Sequence, residues 1–368
     1  MRLASTLAWS LIALSGLAAC ALLLRPAQAC GGFFHKPGEL AEQRTFEAIF
    51  TPGPGQVQVD YKVIYAGAAA DFGWVLPIPG AFLDLQDSQA DFDGLRAETK
   101  ADEDLKEIRH TGCGGADKSG GLGDTGTTGV DVVAQGFTGT YAYMVLEATD
   151  TTALTDWLTG HGWELGTSVD GLQAYIDDGG YQFVAVALQS DHEATSDDEA
   201  FELPGIAISY EGARVEWPAR MARYGMQGLT HTVLYVRGQQ RARITAGWTE
   251  VELPSVWDQG EEPDYMRYSA WPETLASIGQ DQGFATVFAG PVDPSVIGID
   301  SDAGWVTRFE TLSMPEVHTA DVVFGLDGGT DEMRTVISNR GGCNRPAGAL
   351  FFLLPGVGLV ALRRRRSA

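Results

Sequence analysis

The chain reads as an α+β fold, predominantly antiparallel β-sheets in a sandwich-like arrangement with a few short helices. Three observations predict it. Short segments alternate apolar and polar side chains with the period of a strand, Gly- and Pro-rich turns separate them, and few helical stretches fall between consecutive strands. Strands joined by turns pair antiparallel, whereas a parallel doubly wound sheet needs a crossover helix after nearly every strand and is not expected here.

Thr45 to Phe50 and Val57 to Tyr65 form the first pair of strands, with Val57, Val59, Tyr61 and Val63 alternating against Gln58, Asp60 and Lys62. Pro52-Gly53-Pro54-Gly55 supplies the turn of the hairpin, and Gly67 ends its second strand. Asp71 to Pro79 is an apolar extended run closed by prolines, read as a core strand. From Leu83 to Ile108 the chain is acidic and helix-permissive without a continuous core pattern, and Gly112 to Gly129 is a Gly/Thr/Asp-rich loop.

Strands follow at Val130 to Phe137 and Gly139 to Ala148, then helices at Thr151 to Thr159 and Val169 to Asp177, capped by Asp150 and Ser168. Tyr181 to Gln189 is a strand and Ser190 to Glu199 an acidic loop. Further strands are expected at Gly205 to Tyr210, Thr230 to Arg237, Ala242 to Trp248, Phe284 to Phe288, Val306 to Thr311 and Ala320 to Phe324. An echo of Tyr65-x-Gly67 in Tyr210-x-Gly212 is too short to define a repeat.

The two ends carry the address. Arg2 precedes an uncharged stretch from Leu3 to Leu24, and Ala27-Gln28-Ala29 offers small residues for cleavage after Ala29, so residues 1–29 read as a signal peptide. Leu17-Ala18-Ala19-Cys20 also fits the pattern before a lipidated cysteine, but Ala21 to Leu24 stay apolar where a lipoprotein turns polar; lipidation at Cys20 and a retained anchor are the alternatives. At the other end Cys343, in a linker over 331–346, precedes an uncharged run from Ala347 to Leu362 and then Arg363, Arg364, Arg365 and Arg366. That run of helix would reach only about 24 Å, short for a permanent transmembrane helix, and the arginines would hold the terminus on the cytoplasmic side.

Between the signals lie roughly 310 residues, enough for one β-rich domain over 30–330 or for two subdomains divided near 112–129. The formal charge of −24 becomes about −30 once the six arginines of the terminal segments are removed. Such a surface repels nucleic acid and anionic membrane alike, so membrane attachment has to come through the terminal apolar segments.

No constellation demands an enzyme. Gly121-Leu122-Gly123-Asp124-Thr125-Gly126 has the letters of a dinucleotide loop but no strand feeding it and no helix leaving it. His35, His110, His161, His192, His231 and His318 are widely separated, and although His110 and Cys113 lie close in sequence, no metal is expected. Asp300-Ser301-Asp302 and the acids from Asp327 to Glu332 lack the full spacing of a calcium loop. G-x-S-x-G is absent, and 49 acidic residues leave a two-carboxylate hydrolase unmarked in the sequence. No catalytic residue, cofactor or metal ligand is assigned.

Two resemblances follow. The order Gly341-Gly342-Cys343, apolar segment and arginine cluster resembles the MYXO-CTERM class of C-terminal sorting signals over about the last 26 residues. It implies a sorting protease as partner, alongside the export machinery, and gives Cys343 the role of surface attachment; the alternative is an ordinary tail anchor with Cys343 incidental. With Cys20 lost in the leader, the simplest pairing in an oxidising compartment is then Cys30 with Cys113, a bridge contributing about 4 to 5 kcal/mol by loop entropy; two free thiols are the other outcome.

The second resemblance rests on Cys30-Gly31-Gly32-Phe33-Phe34, Asp71-Phe72-Gly73-Trp74-Val75-Leu76-Pro77-Ile78-Pro79, Leu154-x-x-Trp157-Leu158, Tyr175-x-x-x-Gly179-Gly180-Tyr181-Gln182-Phe183-Val184-Ala185-Val186 and Trp305 to Phe309 leading to Asp321 and Phe324. This pattern resembles the bacterial family known as domain of unknown function 2330. It implies an exported protein without naming a reaction. Members often carry a second cysteine after the Phe-Phe pair, where this chain has His35. The expectation is an exported protein attached to the envelope or cell surface, with a structural or binding role; the alternative is an extracytoplasmic hydrolase using dispersed carboxylates.

Overall fold

The computed structural model describes residues 33–34, 42–66, 73–103, 129–161, 169–188, 200–202, 204–226, 228–253, 266–267, 271–293 and 304–338. Within them the fold is α+β and β-rich, with mostly antiparallel sheets and short helices. The larger sheet runs in the order β15 (Thr249–Glu252), β17 (Gly283–Pro291), β18 (Trp305–Ser313), β13 (Thr230–Gly238), β2 (Glu42–Gly53), β3 (Gln56–Ala66), β11 (Ile206–Glu211), β5 (Phe82–Asp87). Two short strands, β10 (Ala200–Glu202) and β20 (Met333–Arg334), pair with β3 and β17.

A five-stranded sheet follows the order β1 (Phe33–Phe34), β4 (Gly73–Ile78), β9 (Gln182–Leu188), β8 (Tyr141–Ala148), β7 (Val130–Phe137). A small sheet is β12 (Val215–Trp217), β19 (Val322–Gly325), β14 (Arg243–Ala246), and another joins β16 (Met266–Arg267), β21 (Val336–Ser338) and β6 (Asp102–Glu103).

Period-two alternation builds the layers. Phe46, Ala48, Phe50, Val57, Val59, Tyr61, Leu234, Val236 and Phe309 face one way, and meet Trp74, Leu76, Ile78, Val145, Val184 and Val186 of the five-stranded sheet and Val215, Trp217, Val322 and Phe324 of the small one. The opposite face of the five-stranded sheet, through Val75, Met144, Leu146 and Phe183, packs on α2 (Thr151–Gly160) and α3 (Val169–Asp178). The far face of the large sheet is covered by α1 (Phe92–Thr99) and α5 (Trp271–Gln280). The order is helices, sheet, sheet, helices.

The hairpin and the core-strand readings agree with the structure. β2 and β3 pair around Gly53 and Gln56, and all of β4 is buried. Among the described residues β1 pairs only with Gly73 and Trp74, so there Pro77 has no second ladder to supply with a donor. Asp150 caps α2 as expected, its carboxylate accepting from Ala153 N at 2.8 Å. Ser168 lies outside the described residues.

Other boundaries shift for local reasons. The strand expected over Ala242 to Trp248 ends at Ala246, because Gly247 adopts φ +86° and turns the chain into β15. Helix α5, where no element is expected, starts at Trp271 with proline at the next position, where the missing N–H costs nothing. The large sheet is also mixed, since β13 joins β2 in parallel at its centre.

Candidate functional site

Helix α3 ends at Gly179 and Gly180, with φ of +69° and +78°, a left-handed pair that glycine alone adopts without strain. Gly179 N donates to Tyr175 O at 3.1 Å, and the turn reverses the chain into β9. Tyr175 and Tyr181 are thereby brought edge to face, with centroids 4.9 Å apart. A cavity of about 220 Å³ opens beside them, walled by Gly179, Gly180, the Gly80-Ala81 turn and Glu147 at the end of β8.

Two buried carboxylates stand behind the tyrosines. Asp321 accepts from Tyr175 Oη at 2.7 Å, from Arg220 N at 2.9 Å and from Arg220 Nε at 2.8 Å. Arg220 is supplied by α4 (Ala219–Ala222), bridges to Asp178 at 2.7 Å, and lies 4.4 Å over the Tyr175 ring. Glu216 Oε1 accepts from Tyr181 Oη at 2.7 Å, while Oε2 lies in ion contact with Arg214 without an aligned hydrogen bond.

Short strands set this geometry. Glu216 pairs with Val323 across β12 and β19, so Asp321, two residues earlier, sits diagonally on the same face, where Cα spacing is about 7–8 Å. Gly247 presses against the same point: a Cβ there would meet Asp321 O at 1.7 Å, so only glycine permits the approach.

Burial pushes the Glu216 carboxyl above its usual range and the nearby Asp321 charge adds to this, against the opposing Tyr181 bond and Arg214. Burial and the Asp321 carboxylate likewise raise Tyr175 well above an ordinary phenol, so its proton stays on oxygen and its role is donation. Burial and Glu216 do the same to Tyr181. The arrangement holds charge inside the protein; neither phenol serves as a base.

A second buried cluster lies on the far face of the large sheet. Lys62, Glu47, Val233 and Glu310 are neighbours across four strands, and Asp60, Ile49, Tyr235 and Arg308 form the adjacent row. Arg308 meets Glu310 at 2.5 Å, and His231 Nε2 lies 3.1 Å from Glu310. Helix α1 lays Arg96 against Glu47 and Asp93, and Asp93 reaches Lys62 at 3.5 Å. The polar half of the alternation in β3 therefore faces protein, with Asp60 and Lys62 buried.

One serine lies beside a histidine. Ser313 Oγ lies 2.9 Å from His318 Nε2, but both are buried and His318 is boxed by Trp217 and Trp248. Burial pushes the imidazole down to about 3, so it stays neutral and pins the turn after β18. His161 stacks on Trp157 at 3.8 Å.

Several sequence-assigned positions lie outside the described residues: Ala29, Cys30, Cys113, Cys343, Arg363 to Arg366, the Gly121 to Gly126 hexapeptide, His35, His110, His192, Asp300 to Asp302, and the apolar run from Ala347. Among the described residues no helix is long and apolar enough to cross a membrane, and no three metal-ligating side chains converge.

Tyr175, Tyr181 and Asp321 stand in motifs singled out from sequence; Glu216, Arg214 and Arg220 do not, and only their placement on β12 and α4 reveals them. Residues 25–296 match the family described as an uncharacterised protein conserved in bacteria, domain of unknown function 2330. The chain belongs to that family. The domain of unknown function 2330 match takes in Tyr175, Tyr181, Glu216 and Arg220 and stops before Arg308, Glu310 and Asp321. No curated protein matches the sequence. Among solved structures, baculovirus P35 overlays with a TM-score of 0.30 at 10% identity, covering 82% of this chain and 98% of that one, too loose a likeness to carry a conclusion.

Proposed function

We propose that this member of the domain of unknown function 2330 family is exported and held at the cell envelope, where it has a structural or binding role. The observation that carries the non-catalytic part is the engagement of the carboxylates within the protein: Asp321 is held by Tyr175 and Arg220, and Glu216 by the Tyr181 hydroxyl and by ion contact with Arg214. The two tyrosines, rather than either carboxylate, line the cavity. The terminal segments support export, since apolar runs flanked by arginine suit a leader at one end and a sorting tail at the other.

Cell fractionation with protease shaving tests the reading. Wild-type protein is expected in the envelope and accessible to external protease, and Cys343→Ser is expected to leave the envelope for the soluble exported fraction. Full-length chain in the cytosol, both ends intact, overturns export; equal anchoring of the variant overturns the role of Cys343.

One observation favours a hydrolase as second reading: two carboxylates share one face and burial keeps the proton on Glu216 to a higher pH, as in acid and base pairs pushed apart by environment. Turnover of glycoside or ester substrates that disappears in Glu216→Gln, with folding intact, would establish it.

A further inference from the structure

Among the described residues, three buried polar atoms on neighbouring side chains in the charged layer beneath α1 make no hydrogen bond to another protein group: Tyr235 Oη, Glu47 Oε2 and Arg308 Nε. All three side chains are buried, at 0%, 3% and 5% exposure. They belong together. Tyr235 pairs with Arg308 across β13 and β18, the Arg308 guanidinium lies 5.6 Å from the Tyr235 ring centre, and Glu47 sits diagonally from Tyr235 on the neighbouring strand β2.

Leaving such buried atoms without any partner is unfavourable, because their hydration is lost and nothing replaces it. We infer that one internal water molecule is bound between them. The chemistry of the three atoms matches a single water: the Glu47 carboxylate accepts from it, Arg308 Nε–H donates to it, and the Tyr235 hydroxyl completes the set on either side. Three bonds is the usual complement of a buried water.

Other occupants fit less well. An anion would meet Glu47 and Glu310, and a cation would meet Arg308 and Arg96. The cluster is balanced already, with Lys62, Arg96 and Arg308 against Glu47, Asp93 and Glu310.

Water-oxygen magnetic relaxation dispersion, which counts long-lived internal waters, tests this by comparing wild-type protein with Tyr235→Phe. Loss of one water's amplitude is expected, with a fall in Tm of about 2–4 °C as a bond is removed from a bridged site. Unchanged amplitude overturns the inference, and the expected companion is a Tm that holds or rises, because deleting an unpaired buried hydroxyl relieves its desolvation. Should Tyr235→Phe fail to fold, electron density in a high-resolution crystal of the wild type decides: a peak within hydrogen-bond reach of all three atoms supports the water, and a dry site refutes it.

Discussion

Glu310 and Glu216 are almost equally buried, and their surroundings drive their carboxyls in opposite directions. Burial pushes Glu310 up, but the Arg308 charge and the His231 contact outweigh it and hold the group down at about 2. Burial pushes Glu216 up as well, and there the Asp321 carboxylate adds to the push while its own arginine, Arg214, is half exposed. The difference teaches that depth alone does not set protonation: a buried cation within the same layer does. It also separates the two clusters by role, one a charge-paired layer under α1, the other a phenol-lined wall beside a cavity.

The largest expected effect comes from Glu310→Ala, which leaves Arg308 buried without its partner and should cost about 3–5 kcal/mol in a denaturant melt. Asp321→Asn should cost less, about 2–3 kcal/mol, because Arg220 is partly exposed and keeps Asp178. Glu216→Gln sharpens the contrast: it removes a charge that burial disfavours and preserves the acceptor for Tyr181, so stability should change by less than about 1 kcal/mol at neutral pH. A loss as large as that of Glu310→Ala would erase the distinction between the clusters.

The same two groups should tilt the acid limb of stability in opposite senses. Glu310, with an ordinary value of 4.5 lowered to about 2, contributes stability that is whole above 4.5 and disappears as pH falls toward 2. Glu216, raised from 4.5, contributes the reverse: the fold gains as pH falls through its folded value toward 4.5. Melts across this range should show Glu310→Gln flattening the acid loss, and Glu216→Gln removing a small gain at mildly acidic pH.

Much of the sheet framework could be read from alternation. Val57, Val59 and Tyr61 point into the core as their spacing implies, and the Pro-Gly turn closes the hairpin. The pattern could not say what covers Asp60 and Lys62, since a polar stripe has the same letters whether water or α1 lies on it. Short elements such as β12 and α4 carry too few residues to show a period, so Glu216 and Arg220 stay invisible among 49 acids and 25 bases. The helix ending at Asp177 and the strand starting at Tyr181 were legible, but the pairing of Tyr175 with Asp321, 146 residues away, depends on tertiary packing.

The most direct test of the closed, charge-holding site is a carbon-13 titration of the Glu216 and Glu310 carboxyls in one sample of the folded protein. Glu216 is expected to titrate above 4.5 and Glu310 near 2. Both carboxyls titrating on the same side of 4.5 would contradict it.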